Sequence, residues 1–179
     1  MIFMDRHWTI PGHVEARDGR LVFAGHDAAG LVARHGSPLY VLSARRIVET
    51  ARGMLAIAAA APLPVTICYA SKACSAIAVL GLLREQGVSV EVNSGGELFR
   101  ALKAGFSPDR IIFNGVAKSS EELRAALELR IKAINVDSIF ELERIAALAR
   151  EGSAVARISL RIVPDVRSST SAGNQTGAE

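Results

Sequence analysis

Val65-Thr-Ile-Cys-Tyr-Ala-Ser-Lys-Ala73 and Val88-Ser-Val-Glu-Val-Asn-Ser-Gly-Gly96 decide how this chain folds. Each opens with a short run that alternates in character. In the first, Val65, Ile67 and Tyr69 share one face. Thr66, Cys68 and Ala70 share the other, and Lys72 continues it by period two. In the second, Val88, Val90 and Val92 lie opposite Ser89, Glu91 and Asn93. Each strand therefore has one apolar face and one small or polar face.

The same unit repeats downstream. Strands are predicted at Val65–Ala70, Val88–Val92, Arg110–Phe113, Ala133–Val136 and Val155–Ile162. Helices are predicted between them at Ser75–Gln86, Gly95–Ala104, Glu121–Leu129 and Ile139–Arg150. A strand opens about every 21 to 25 residues, the mark of βα units and a parallel sheet. Three helices open on the same box, Ser94-x-x-Glu97, Ser119-x-x-Glu122 and Ser138-x-x-Glu141, in which serine and glutamate each satisfy a free amide. An open doubly wound sheet buries both faces and reads as continuous hydrophobics. The polar face argues instead for a (β/α) TIM-type barrel with a site at the strand ends. Five of its eight strands are predicted here, so the fold class is α/β, a partial barrel.

Upstream, His13–Arg17 and Arg20–Phe23 flank Asp18-Gly19 and predict a β-hairpin. Asp27 is positioned to cap a short helix ending at Gly36. Ser37–Leu42 is predicted as a short strand, and Ser43 caps a helix from Ala44 to about Ala61, stopped by Pro62 and Pro64. The expected domains are residues 1–36 (hairpin and short helix), 37–165 (incomplete barrel) and 166–179 (a polar, disordered tail).

Composition bounds the function. Half the residues are hydrophobic and 22% are charged, which fits a folded chain and excludes disorder. Net charge is +3 without a dense Lys/Arg run, so no nucleic-acid partner is expected. No long uncharged apolar stretch predicts a membrane span. The start lacks a secretory pattern. Cys68 and Cys74 alone cannot form a disulfide framework or a zinc site, which fits a reducing, cytoplasmic location.

Lys72 is the candidate for chemistry. It stands just past the first repeated strand, where Glu91, Asn93, Asn114, Asn135, Asp137 and Arg161 would meet it at a barrel mouth. A lysine among apolar walls can act as a nucleophile toward an aldehyde. A solvent-facing loop lysine is the alternative from spacing alone. Glu91 and Arg161 could equally be a structural ion pair, and Glu97 could equally be only a capping residue. Ser94-Gly-Gly opens a helix and could bind an anion.

Tyr69-Ala-Ser-Lys-Ala73 resembles the Tyr-Ala-x-Lys-Ala motif of the fold-type III pyridoxal-phosphate decarboxylases, which act on diaminopimelate, ornithine and arginine. Val90-Glu-Val-Asn-Ser-Gly-Gly-Glu-Leu98, Ile111-Ile-Phe-Asn-Gly-Val-Ala-Lys-Ser119, Ile134-Asn-Val-Asp-Ser138, Ser159-Leu-Arg-Ile-Val-Pro164 and Gly36-Ser-Pro-Leu-Tyr-Val41 are similar to the family's other signatures, in order. The resemblance implies an alanine racemase-like barrel and a lysine Schiff base between Lys72 and pyridoxal 5'-phosphate. It implies that Ala70, Glu91, Glu97 and Arg161 lie at the cofactor. Glu91 stands where the family has Asp. It also implies a small amino-acid substrate, most like diaminopimelate, and a homodimer for the full-length enzyme. The ring-stacking histidine, the phosphate-binding glycines and the acid at the pyridine nitrogen would come from later strands. The chain is thus expected to be the N-terminal part of such a decarboxylase, inactive alone. The alternatives are a racemase or single-domain pyridoxal-phosphate carrier of the same barrel, or the non-catalytic half of a split protein.

Overall fold

A computed structural model describes residues 9–162. The expected tail, residues 166–179, lies outside them. Two compact units divide after Val65, so the helix following Ser43 falls with the hairpin and not with the barrel strands.

The first unit is a three-stranded antiparallel sheet with two helices. β1 (Val14–Arg17), β2 (Arg20–Phe23) and β3 (His26–Asp27) pair in that order. Asp18 and Gly19 both take positive φ, as the tight hairpin turn requires. Asp27 caps α1 (Ala28–His35) by accepting from Gly30 N at 3.0 Å. Ser43 caps α2 (Ala44–Ala59). His13 Nε2 lies 2.9 Å from Glu49 Oε2, and Arg45 donates to Gly12 O, so α2 is held to the start of the sheet. The strand expected at Ser37–Leu42 does not form. No strand pairs with it among the described residues, and Tyr40 is 97% exposed. An extended segment without a ladder partner is not a strand.

The second unit is the repeated βα array. β4 (Cys68–Ala70), β5 (Ser89–Val92), β6 (Ile111–Phe113), β7 (Ala133–Val136) and β8 (Ile158–Leu160) are all parallel and adjacent in chain order. Between them run α3 (Ile77–Glu85), α4 (Gly95–Lys103), α5 (Ser120–Leu129) and α6 (Ile139–Glu151). β4 and β8 are shorter than expected. α3 starts at Ile77, two residues later than expected, and Ser75 lies before it with its hydroxyl oxygen accepting from Arg100 at 2.8 Å.

The apolar strand face is the core. Val90, Val92, Ile111, Phe113, Ile134 and Val136 are buried against Leu80, Leu98, Ala101, Leu123, Ala126 and Ile145. Burying a Val, Leu, Ile or Phe side chain contributes about 1.5–3 kcal/mol, and this face holds the helices to the sheet. The opposite face carries Glu91, Ile112, Asn114 and Asn135, all half-buried. At β8 even the helix-facing residues are open: Ile158 and Leu160 stand in register with Ile134 and Val136, yet are 41% and 62% exposed.

Candidate active site

β5, β6 and β7 each hand their C-terminal residues to a loop and then to a serine-capped helix. The polar residues therefore collect at one end of the sheet. Ser94, Ser119 and Ser138 each accept from the amide three residues on. The sequence pattern predicts three reciprocal boxes, but only Ser119–Glu122 closes both ways. In the other two, the glutamate reaches the amide one residue before the serine, Asn93 N at 3.0 Å for Glu97 and Asp137 N at 3.3 Å for Glu141.

The three glutamates also reach backward to the preceding unit. Glu97 accepts from the Ser71 hydroxyl after β4. Glu122 accepts from Gly95 N after β5 at 2.5 Å. Glu141 takes Lys118 Nζ after β6, with both oxygens at 2.9 Å. Each strand-end loop is thus laced to the next helix start. Lys118 also donates to Gly115 O, and Arg144 donates to Lys118 O and Ser120 Oγ at 3.1 Å. The Lys118–Glu141 pair is almost wholly enclosed, with side chains 0% and 5% exposed.

Burial pushes the Glu122 carboxyl up, but donation from the Ser119 and Gly95 amides outweighs it and holds the group below its usual value. A carboxyl lowered in the folded state adds stability above its unfolded value, and that stability is lost as pH falls through the folded one. Glu122→Gln is therefore expected to flatten the acid limb of stability. Urea midpoints of both proteins measured down through the acid range check this, and parallel limbs would refute it.

Lys72 lies in a single 3₁₀ turn, Ser71–Ala73, at the end of β4. Ser71 is fully buried while Lys72 is exposed. No hydrogen bond or ion pair involves the Lys72 amine among the described residues. Tyr69 donates to Cys74 O at 3.2 Å across the turn. Burial raises both the Tyr69 phenol and the Cys68 thiol. The phenol is thus kept as a donor, and the thiol is kept unreactive.

Ala70 is paired in register with Glu91. Glu91 Oε1 accepts from Asn93 Nδ2 at 3.3 Å and Asn114 Nδ2 at 3.1 Å. Gly115 is required beside Asn114: its φ is +110°, and a Cβ there would sit 2.6 Å from Asn93 O. Arg161 follows β8, donates its amide to Val136 O at 2.8 Å, and has an exposed side chain. The alternative Glu91–Arg161 ion pair is not formed among the described residues: Glu91 is engaged by two asparagines at Oε1, and Arg161 follows a strand three places along the sheet. At the Ser94-Gly-Gly helix start, Glu122 already occupies Gly95 N.

The structure thus brings Glu91 together with Asn93 and Asn114, and Glu97 with the Lys72 turn. Arg161 joins neither group. Sequence reasoning missed Ser71, Arg100 and the Lys118–Glu141 pair as structural partners. The signal for the glutamates was the recurrence of Ser-x-x-Glu in successive units, each with a polar partner one unit back.

An exposed lysine, an oriented acid and a row of asparagines at the ends of parallel strands make the polar mouth of a partial (β/α) barrel. This chain belongs to the pyridoxal-dependent decarboxylases: the model of that family's pyridoxal-binding domain matches residues 46–179. Diaminopimelate decarboxylase of Bacillus subtilis is 42% identical over 161 residues, covering 90% of this chain and 37% of that protein. The Haemophilus influenzae enzyme of the same name is 43% identical over 148 residues, covering 82% and 35%. The crystal structure of M. jannaschii diaminopimelate decarboxylase in complex with L-lysine superposes with a TM-score of 0.80 at 36% identity, over 87% of this chain and 37% of that one. The chain spans little more than a third of the length of the curated relatives it matches.

Proposed function

We propose that this chain is the lysine-bearing part of a pyridoxal-phosphate-dependent amino-acid decarboxylase, acting on diaminopimelate. The observation that carries this is Lys72. It is an exposed amine without a competing partner, in a tied turn at the C-terminal end of the first barrel strand. The family match and the named relatives support the same reading.

The residues present fit the aldehyde end of the cofactor. Lys72 would hold that end covalently. Ala70 leaves room beside it, and Glu91, fixed by Asn93 and Asn114, would face the bound group. Arg161 would contribute a cation from the far strand, and Glu97 would serve from the first turn of α4, beside the Lys72 turn. Bound pyridoxal phosphate supplies an electron sink for the pair left when a carboxylate departs. Around it the chain has three tasks: to offer an amine that the substrate amine can replace, to orient the substrate, and to exclude water. The net change is loss of carbon dioxide from Cα and gain of a proton there. The full-length enzyme would work as a homodimer. No described helix is long and apolar enough to cross a membrane, and the two free thiols support a cytoplasmic setting.

The test is covalent labelling. The chain is mixed with pyridoxal phosphate, reduced with borohydride and mapped by mass spectrometry. Label is expected on Lys72, and Lys72→Ala is expected to lose it. Equal labelling of the variant's remaining lysines, with none favoured in the wild type, would overturn the assignment.

A further inference from the structure

Helix α4 grips the Lys72 turn from both sides. Glu97 and Arg100 are three residues apart and so share one helix face. Glu97 accepts from Ser71 immediately before Lys72. Arg100 donates to Ser75 Oγ at 2.8 Å, three residues after it. The backbone of Lys72 is thus pinned between two side chains of one rigid element. Ser71 is buried with its hydroxyl committed to Glu97, so the turn cannot rotate without leaving a buried polar group unmatched. Glu97 in turn is anchored by Asn93 N, one residue from the end of β5. Position therefore passes from the β5 end, through Glu97 and Ser71, to the lysine.

We infer that Glu97 is a positioning residue that acts on Lys72 through Ser71, and that Arg100 is its counterpart on Ser75, so that α4 sets where the reactive amine points. This differs from a direct role for Glu97 at the cofactor, and it rests on Lys72 being the aldehyde-binding lysine. A geometric role has a definite signature. Loosening the turn should slow the reaction of Lys72 while leaving other lysines unaffected. It should also make the two members of one relay non-additive.

The experiment uses the full 179-residue chain, pyridoxal phosphate and borohydride. The amine nitrogen bonds to the aldehyde carbon, water leaves, and hydride from the borohydride fixes the carbon–nitrogen bond. Initial labelling of Lys72 is measured relative to exposed Lys132 in the same molecule. The variants are Glu97→Gln, Ser71→Ala and the double, each checked for native far-ultraviolet circular dichroism. Each single change is expected to lower the Lys72:Lys132 ratio about tenfold, since small misplacements of a reacting group cost that much or more. The double change is expected to be no worse than either single one. An unchanged ratio in a folded single variant overturns the inference, as does an additive double. If Glu97→Gln does not fold, Ser71→Ala, the smaller change, decides on its own ratio. Arg100→Met gives an independent reading, with the same fall expected from release of Ser75. Should the wild-type chain show no preference for Lys72, the proposed function itself fails. A wild-type preference that survives both single changes removes only the role given to Glu97.

Discussion

Glu141→Ala is expected to cost about 3–5 kcal/mol of folding stability, the usual penalty for stripping one partner from a buried ion pair. The reason is the environment of Lys118. Its side chain has no solvent exposure, and both Glu141 oxygens lie 2.9 Å from its ammonium. Removing the carboxylate leaves a buried charge with the Gly115 carbonyl as its remaining hydrogen-bond partner among the described residues. It also frees Asp137 N and empties the space between the loops after β6 and β7. A domain of ordinary stability has only about 5–15 kcal/mol in total, so the loss is a large share. Urea unfolding followed by circular dichroism measures it. The paired change Lys118→Met with Glu141→Leu is expected to recover most of the loss, because two apolar groups of similar volume need no compensation. A midpoint for Glu141→Ala close to wild type would show that Lys118 finds water or another acceptor.

Much of this architecture was legible in the sequence because its repeats are regular. Period-two alternation in Val88–Asn93 placed the valines on the helix face and Glu91 on the other, and both alternation and parallel order hold. Serine caps placed the helix starts at Ser94, Ser119 and Ser138. What failed was local chemistry with a distant competitor. Ser75, expected inside α3, lies before it and accepts from Arg100 of the next helix. Glu97 and Glu141 leave their boxes open because each takes the amide one residue before its serine, whereas Glu122 closes its box while also accepting from Gly95 N. Capping motifs describe a helix by itself, and tertiary partners one unit away redirect the same side chains. Ser37–Leu42 had strand composition but no ladder neighbour. The site was legible to the same degree. Glu91 follows from strand phase, whereas Lys72, expected to continue the polar face of its strand by period two, lies in a 3₁₀ turn beyond the end of β4. The asparagine pair fixing Glu91 needed the register of β5 against β6.

The 179-residue chain by itself is expected to accept label at Lys72 and yet release no carbon dioxide from diaminopimelate or ornithine above a protein-free control. Forming a bond to an aldehyde requires one accessible amine, which Lys72 supplies. Holding the cofactor requires its phosphate to be met by amides or cations. At the obvious candidate among the described residues, the Ser94-Gly95-Gly96 helix start, Glu122 already takes Gly95 N and Ser94 takes Glu97 N, which leaves few amides for a phosphate. Turnover demands more: groups that tune the ring, a pocket that orients the leaving carboxylate perpendicular to it, and a proton donor for Cα. Relatives bearing the decarboxylase name are almost three times as long as the stretch matched here. The outer face of β8, with Ile158 and Leu160 exposed, also leaves apolar surface that a further βα unit would cover. Binding and catalysis should therefore separate cleanly in one assay, with reductive labelling positive and carbon dioxide release negative. Robust release by the isolated chain would show that the described strands suffice for chemistry, and that phosphate capture and substrate orientation reside in residues other than those assigned here. Release that survives Lys72→Ala would remove the lysine from the mechanism altogether.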